Sequence, residues 1–268
     1  MIHFLYNIPS SCMALIVVGF TILAAFLGYA ATRRLHLIEV DAEQRAMALT
    51  MVSIITTINS LLVAFAAVSV WGAYNDAGQT VSSEAISASE LAYDMAAFGS
   101  PSAKAAGREL HAYLEQVVQR EWPSMQQELR SDPGTNAQFN KLFAKVLQIE
   151  PASPRQTALL REIHQRINEM VKFRQQRLLT LEVAMPATLW AVMLVVSALS
   201  FVLLYVMPPT PFYVALLCSW AVTLGMAFFF ILAVDRPFAG EFSVSADAYQ
   251  HVIDELVQGQ IWTNTKPQ

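Results

Sequence analysis

Long stretches without a charged residue set the pattern of this chain, and the most informative is Ala46 to Asn75. About 20 apolar residues at ~1.5 Å per residue cross the hydrocarbon core of a bilayer, so the stretch is long enough for a membrane-spanning helix. It is not uniformly apolar. At ~100° per residue, Thr50, Ser53, Thr57 and Ser60 fall on one stripe, with Thr56 beside it, and the stripe continues through Ala64, Ala67, Trp71, Asn75, Gly78 and Ser82. Ile54, Ile58, Leu61, Leu62 and Phe65 are assigned to the opposite face, suited to lipid or hydrophobic packing. No proline interrupts Ala46 to Phe98, which predicts one long helix that leaves the membrane with Val81, Ala85, Ala88, Ala92 and Met95 as its next stripe.

Two readings compete for the polar stripe. Its hydroxyls bond back to their own carbonyls or sit at a seam with a neighbouring helix, or they line a water-filled path through a ring of subunits. No charged residue lies at mid-membrane in this helix, which argues against a proton relay or a charge-coupled transporter.

Three further spans follow the same logic. Residues 4–32 are uncharged up to Arg33-Arg34, and the run is too long, and its start too poor in Lys and Arg, for a signal peptide. The first span is placed at Cys12–Ala31, with Ala24 and Gly28 as a small-residue packing face. Val183 to Val234 is again uncharged, and Pro208-Pro209-Thr210-Pro211 divides it into spans at about 188–206 and 212–234. Trp190, Tyr205 and Tyr213 near their ends suit the interface. Asp235 and Arg236 stop the last span and are expected to form a structural contact there, with Arg236 bonding an acidic side chain or helix-end carbonyls and fixing the carboxyl-terminal segment.

The region between spans two and three reads as helices. Ser100-Pro101 and Ser153-Pro154 are cap-plus-proline starts. The first of these helices is expected to end near Trp122-Pro123, Asp132-Pro133-Gly134 is read as a turn, and a short helix follows at about Ala137–Leu147. The helix after Pro154 carries Leu160, Ile163, Ile167, Met170 and Val171 on its apolar face and is expected to feed the third span. A last amphipathic helix, Ala246–Val257 capped by Ser245, presents Tyr249, Val252, Ile253, Leu256 and Val257 for docking on those helices.

The pattern therefore predicts an all-α membrane protein with four transmembrane helices and a helical extramembrane domain between spans 2 and 3. Its parts are a first hairpin (1–75, spans about 12–31 and 46–74), the helical domain (76–183), a second hairpin (184–236) and a carboxyl-terminal segment (237–268). Composition agrees: 55% of residues are hydrophobic and 14% charged, with mean hydropathy +0.41, against about 25% charged in soluble domains. A net charge of -4 gives no sign of a nucleic-acid partner. Cys12 and Cys218 both lie in apolar runs and read as packing residues.

Catalytic chemistry is not indicated, so the chain is read as not an enzyme, with no metal and no cofactor. His3, His36, His111, His164 and His251 are scattered without metal-ligand spacing, and no phosphate loop or nucleophile elbow occurs. His111 and Glu115 read as a solvated i,i+4 contact. Arg155, Arg166 and Arg177 share a face with Glu162 and Glu169 nearby, which reads as a salt-laced exposed helix rather than an anion funnel.

Several short motifs resemble a bacterial bestrophin-like family: Leu5-Tyr6-Asn7-Ile8-Pro9, Arg33-Arg34-Leu35, Val70-Trp71 with Tyr74 and Ala77, Glu84-Ala85 with Glu90-Leu91, Glu121-Trp122-Pro123, Pro154-Arg155-Gln156, and Asp235-Arg236-Pro237-Phe238 with Gly240. The resemblance implies an ion channel of the bacterial inner (plasma) membrane, a cyclic and by analogy pentameric homo-oligomer, and a pore lined by the second span at Thr50, Ser53, Thr57 and Ser60. The partners it implies are membrane lipid, further copies of the chain and a small ion. Bestrophin topology places the helical domain in the cytosol, whereas the arginines of the first link lean towards termini outside. The arginine–double-tryptophan motif, the proline-phenylalanine constriction and the acidic calcium cluster of true bestrophins are not found, so calcium gating and anion selectivity do not carry over. The alternative from another class is a non-conducting membrane-anchored structural or sensory module that binds a partner through its helical domain.

Overall fold

A computed structural model describes Tyr6 and residues 8–35 and 41–257, and their regular structure is entirely helical. Leu5 and Asn7 of the opening motif, and His3 and His36, lie outside the described residues. The helices are α1 (Ser10–Arg34), α2 (Ala42–Phe98), α3 (Pro101–Gln116), a π-helical turn (Val117–Glu121), α4 (Trp122–Glu128), α5 (Pro133–Leu147), α6 (Pro154–Thr180), α7 (Ala187–Leu204), α8 (Pro211–Val234) and α9 (Asp247–Val257). Four of them, α1, α2, α7 and α8, are long and apolar enough to cross a membrane.

Two units divide these elements. The first holds residues 1–73, 184–236 and 240–242; the second holds 74–183, 237–239 and the remainder from 243. Helix α2 is one unbroken helix of 57 residues that contributes to both.

In the first unit, α1 lies along α8 and touches α7. It buries Thr21, Ala25 and Tyr29, residues four apart that return to one face. Ala25 rather than Ala24 occupies this seam, and Ala24 is exposed. Gly28 does lie in a contact, beneath the Tyr205 ring, where a Cβ would collide with the phenol. At Gly225 a Cβ would stand 2.9 Å from the Val18 Cα, so α1 and α8 approach backbone to backbone. The Met207 carbonyl accepts hydrogen bonds from the Tyr29 hydroxyl (3.1 Å) and the Arg33 guanidinium, tying the end of α1 to the proline-rich turn before α8. Thr210 then caps α8 by accepting from the Tyr213 N–H at 3.3 Å. Cys12 is exposed, so its expected packing role does not hold within the chain; Cys218 is half-buried, and both thiols are free.

The second unit has its own core, built from Leu91, Met95, Leu110, Leu114, Ile163 and Ile167 among others. Three helix starts repeat one device: Ser100, Asp132 and Ser153 each accept the backbone N–H three residues on, ahead of a proline that has no N–H to lose. The expected turn at Asp132-Pro133-Gly134 is therefore the start of α5, four residues earlier than Ala137. Trp122-Pro123 does not end a helix either. The chain widens there into the π turn and resumes as α4, with Pro123 in the first turn, where its missing N–H is harmless. Nor does α6 feed the third span: it stops at Thr180, and Pro186 disfavours helix in the residue before it and heads α7 afresh. Helix α9 starts at Asp247 and buries Tyr249, Val252, Ile253 and Leu256, whereas Val257 is exposed.

The close approach at Gly225 makes a direct test. Gly225→Ala should destabilise the protein by ~1–3 kcal/mol through overpacking against the α1 backbone. Gly19→Ala, where a Cβ meets nothing within 4 Å, should be neutral or stabilise by up to ~1 kcal/mol through helix propensity. Unfolding titrations with a denaturing detergent compare the two; equal effects would remove the close helix contact.

Candidate functional site

The expected site residues lie on α2, so its faces come first. The side of α2 packed within its own unit carries Asn59, Ala66 and Val70, all buried. At ~100° per residue this is the side opposite Thr50, Ser53, Thr57 and Ser60. The four hydroxyl residues are exposed. The face assigned to Ile54, Ile58, Leu61 and Phe65 is also exposed and lies beside the hydroxyl stripe rather than across from it. Thr50, Thr57 and Ser60 donate to the carbonyls of Ala46, Ser53 and Thr56 at 3.2, 2.8 and 2.8 Å, and Thr56 bonds back in the same way. Each such oxygen has spent its proton on its own helix and offers lone pairs outward.

A second polar element, which sequence reasoning missed, sits on the buried side. Ser197 of α7 donates to Asn59 Oδ1 at 3.0 Å. The Ser200 hydroxyl donates to the Ser197 carbonyl at 2.7 Å and accepts from Trp220 Nε1 of α8 at 3.2 Å. Three apolar helices thus share one polar seam. Its signal is present in the sequence: Asn59 is the one amide between Ala46 and Trp71.

Asp235 caps α8 and its Oδ1 accepts the Met185 N–H at 2.7 Å, joining the end of the fourth span to the segment before the third. Burial pushes the Asp235 carboxyl above its usual pKa, against the lowering effects of that hydrogen bond and of Arg236. Arg236 lines an apolar groove beside it.

The second unit is centred on a buried charge cluster. The arginine face expected to be exposed splits: Arg155 is exposed, Arg166 pairs with Glu169 (2.9 Å) and Glu90 (3.1 Å) near solvent, but Arg177 is wholly buried. Its Nε meets Glu84 Oε2 at 2.8 Å and its Nη2 meets Glu121 Oε2 at 2.9 Å. Arg174 Nη2 meets Glu121 Oε1 at 3.3 Å, so two carboxylates balance two guanidinium groups. Tyr113 donates to Glu84 Oε1 at 2.6 Å, Ser131 to Glu121 Oε1 at 2.8 Å, and Trp122 and Tyr249 present ring faces to Arg177. Burial works against the Arg177 charge, but its partners, Glu84 foremost, hold its pKa well above the ordinary value. Burial also keeps the Tyr113 and Tyr249 phenols protonated by pushing their pKa values well up. The π turn brings both Glu121 and Trp122 into the interior.

These charges were legible in periodicity, had the apolar stripes been extended. Ile163, Ile167 and Met170 continue at helical spacing to Arg174 and Arg177, Val81 and Ala88 flank Glu84, and Leu114 and Val117 lead to Glu121. His111 and Glu115 stand 3.7 Å apart and partly exposed, the solvated pair expected.

Removing one partner of such a cluster leaves a buried charge uncompensated. Arg177→Met should destabilise the second unit by about 3–5 kcal/mol, and adding Glu84→Gln, which leaves the Arg174–Glu121 pair balanced, should recover much of the loss. Thermal unfolding followed by limited proteolysis of that unit reads both effects. A harmless Arg177→Met would show that the cluster does not brace it.

Among the described residues no group of three or more His, Cys, Asp or Glu could hold a metal ion. No curated protein and no solved structure matches the chain. The bestrophin-like domain, in contrast, matches residues 19–249. That match covers α2 with its hydroxyl face, the Asn59 seam and every member of the buried charge cluster. This chain belongs to the bestrophin-like family.

Proposed function

We propose that the protein is one subunit of a cyclic homo-oligomer that conducts a small ion across the bacterial inner membrane, with α2 nearest the axis. The observation that carries this reading is the placement of Thr50, Ser53, Thr57 and Ser60: exposed, opposite the packed side of α2, and on a helix of a bestrophin-like protein. One chain has too few apolar helices to enclose a water path, so copies must share it.

The hydroxyl geometry also speaks to the ion. Oxygens that have given their protons to helix carbonyls replace hydration by lone pairs, which suits a cation better than an anion. Because the stripe carries no fixed charge, the selectivity it supports is modest.

The same back-bonding satisfies these hydroxyls in lipid, and that observation favours the second reading, a non-conducting anchored module with a rigid partner-binding unit. One preparation separates the two. Ser53→Leu or Thr57→Leu should cut ion flux in liposomes at least several-fold while leaving the oligomer intact, and the parent's reversal potential should follow the cation gradient. Lost assembly would make the stripe a packing seam. Absence of flux from the parent protein would remove the channel.

A further inference from the structure

A groove of about 760 Å³ opens in the first unit, between α1, α7 and the last part of α8. That volume falls within the ~300–1,000 Å³ of small-ligand sites. Its walls are Phe20, Trp190, Leu194, Phe201 and Phe228, and they change character at one end, where Asp235 and Arg236 stand beside Met185. Along α7 the lining runs from Ala187 to Phe201, a rise of about 21 Å and so roughly two-thirds of the ~30 Å hydrocarbon core. An open, mostly apolar groove of that length offers an acyl chain continuous contact along α7.

The end of the groove narrows the choice further. A carboxylate and a guanidinium, adjacent in sequence at the end of α8, complement a headgroup that carries both charges. An anionic headgroup without a cation would meet Asp235 unfavourably. Arginine has five donors in a planar fork, so it can take a phosphate alongside another contact. We infer that this groove binds a zwitterionic phospholipid of the phosphatidylethanolamine class, acyl chain along α7, phosphate at Arg236 and ammonium at Asp235. The inference stands apart from conduction: it needs the groove and its charged end, and no flux enters its test.

Native mass spectrometry of the full chain in mild detergent provides that test, with phosphatidylethanolamine and phosphatidylglycerol of equal acyl length as probes. Phosphatidylethanolamine should be retained at one molecule per chain and about tenfold more strongly than phosphatidylglycerol. Ala198→Trp, which fills the groove, should lower retention at least tenfold, and Asp235→Asn should abolish the headgroup preference while lipid still binds. Should Ala198→Trp fail to fold, the parent protein still decides the matter. Phosphatidylethanolamine with a photoreactive acyl chain should label peptides of α7 between Trp190 and Phe201. Any of four results would overturn the inference: no retained lipid, equal retention of the two lipids, unchanged retention by Ala198→Trp, or labelling that avoids α1 and α7. Subunit dissociation by Ala198→Trp with no lipid on the parent would assign the groove to a second copy instead.

Discussion

An arginine removed from water must have its charge met on every side, and that requirement organises the second unit around Arg177. Glu84 comes from α2, Glu121 from the π turn and Arg177 from α6, so three elements distant in sequence close on one guanidinium. Breaking such a buried pair is far more costly than never having built it, because the abandoned charge has no solvent to return to. Tyr113 and Ser131 supply further hydrogen bonds, and Trp122 and Tyr249 cover the guanidinium with rings. The π turn follows from the same demand: Glu121 and Trp122 must both face inward on successive positions, which the wider turn permits.

The first unit solves a different problem. Lipid gives apolar helices no hydrophobic reason to associate, so shape and polar contacts must do it. Gly225 lets α1 and α8 meet at backbone distance, and the Asn59–Ser197–Ser200–Trp220 seam gives α2, α7 and α8 a shared hydrogen-bonded register. Helix α2 is thereby held on the side that carries Asn59, and its hydroxyl side is left outward. The polar stripe at Thr50, Ser53, Thr57 and Ser60 is left uncovered by its own chain.

The sequence by itself determined the helical class, the four apolar spans and most helix starts. These follow from local rules: uncharged length, helical periodicity, and a capping side chain ahead of proline. Local rules fail at Asp132-Pro133-Gly134, expected as a turn, and at Trp122-Pro123, expected as a helix end, because each proline stands in a first turn, where helices accept it. Only the tertiary structure decided which side of each helix is covered. Arg177 shares a sequence face with exposed Arg155, and nothing in α6 alone states that Glu84, some ninety positions earlier, will reach it. Asn59 likewise takes its meaning from Ser197 across the unit. Periodicity fixes which residues travel together around a helix, but the partner that buries or exposes them is chosen by packing between elements far apart in the chain.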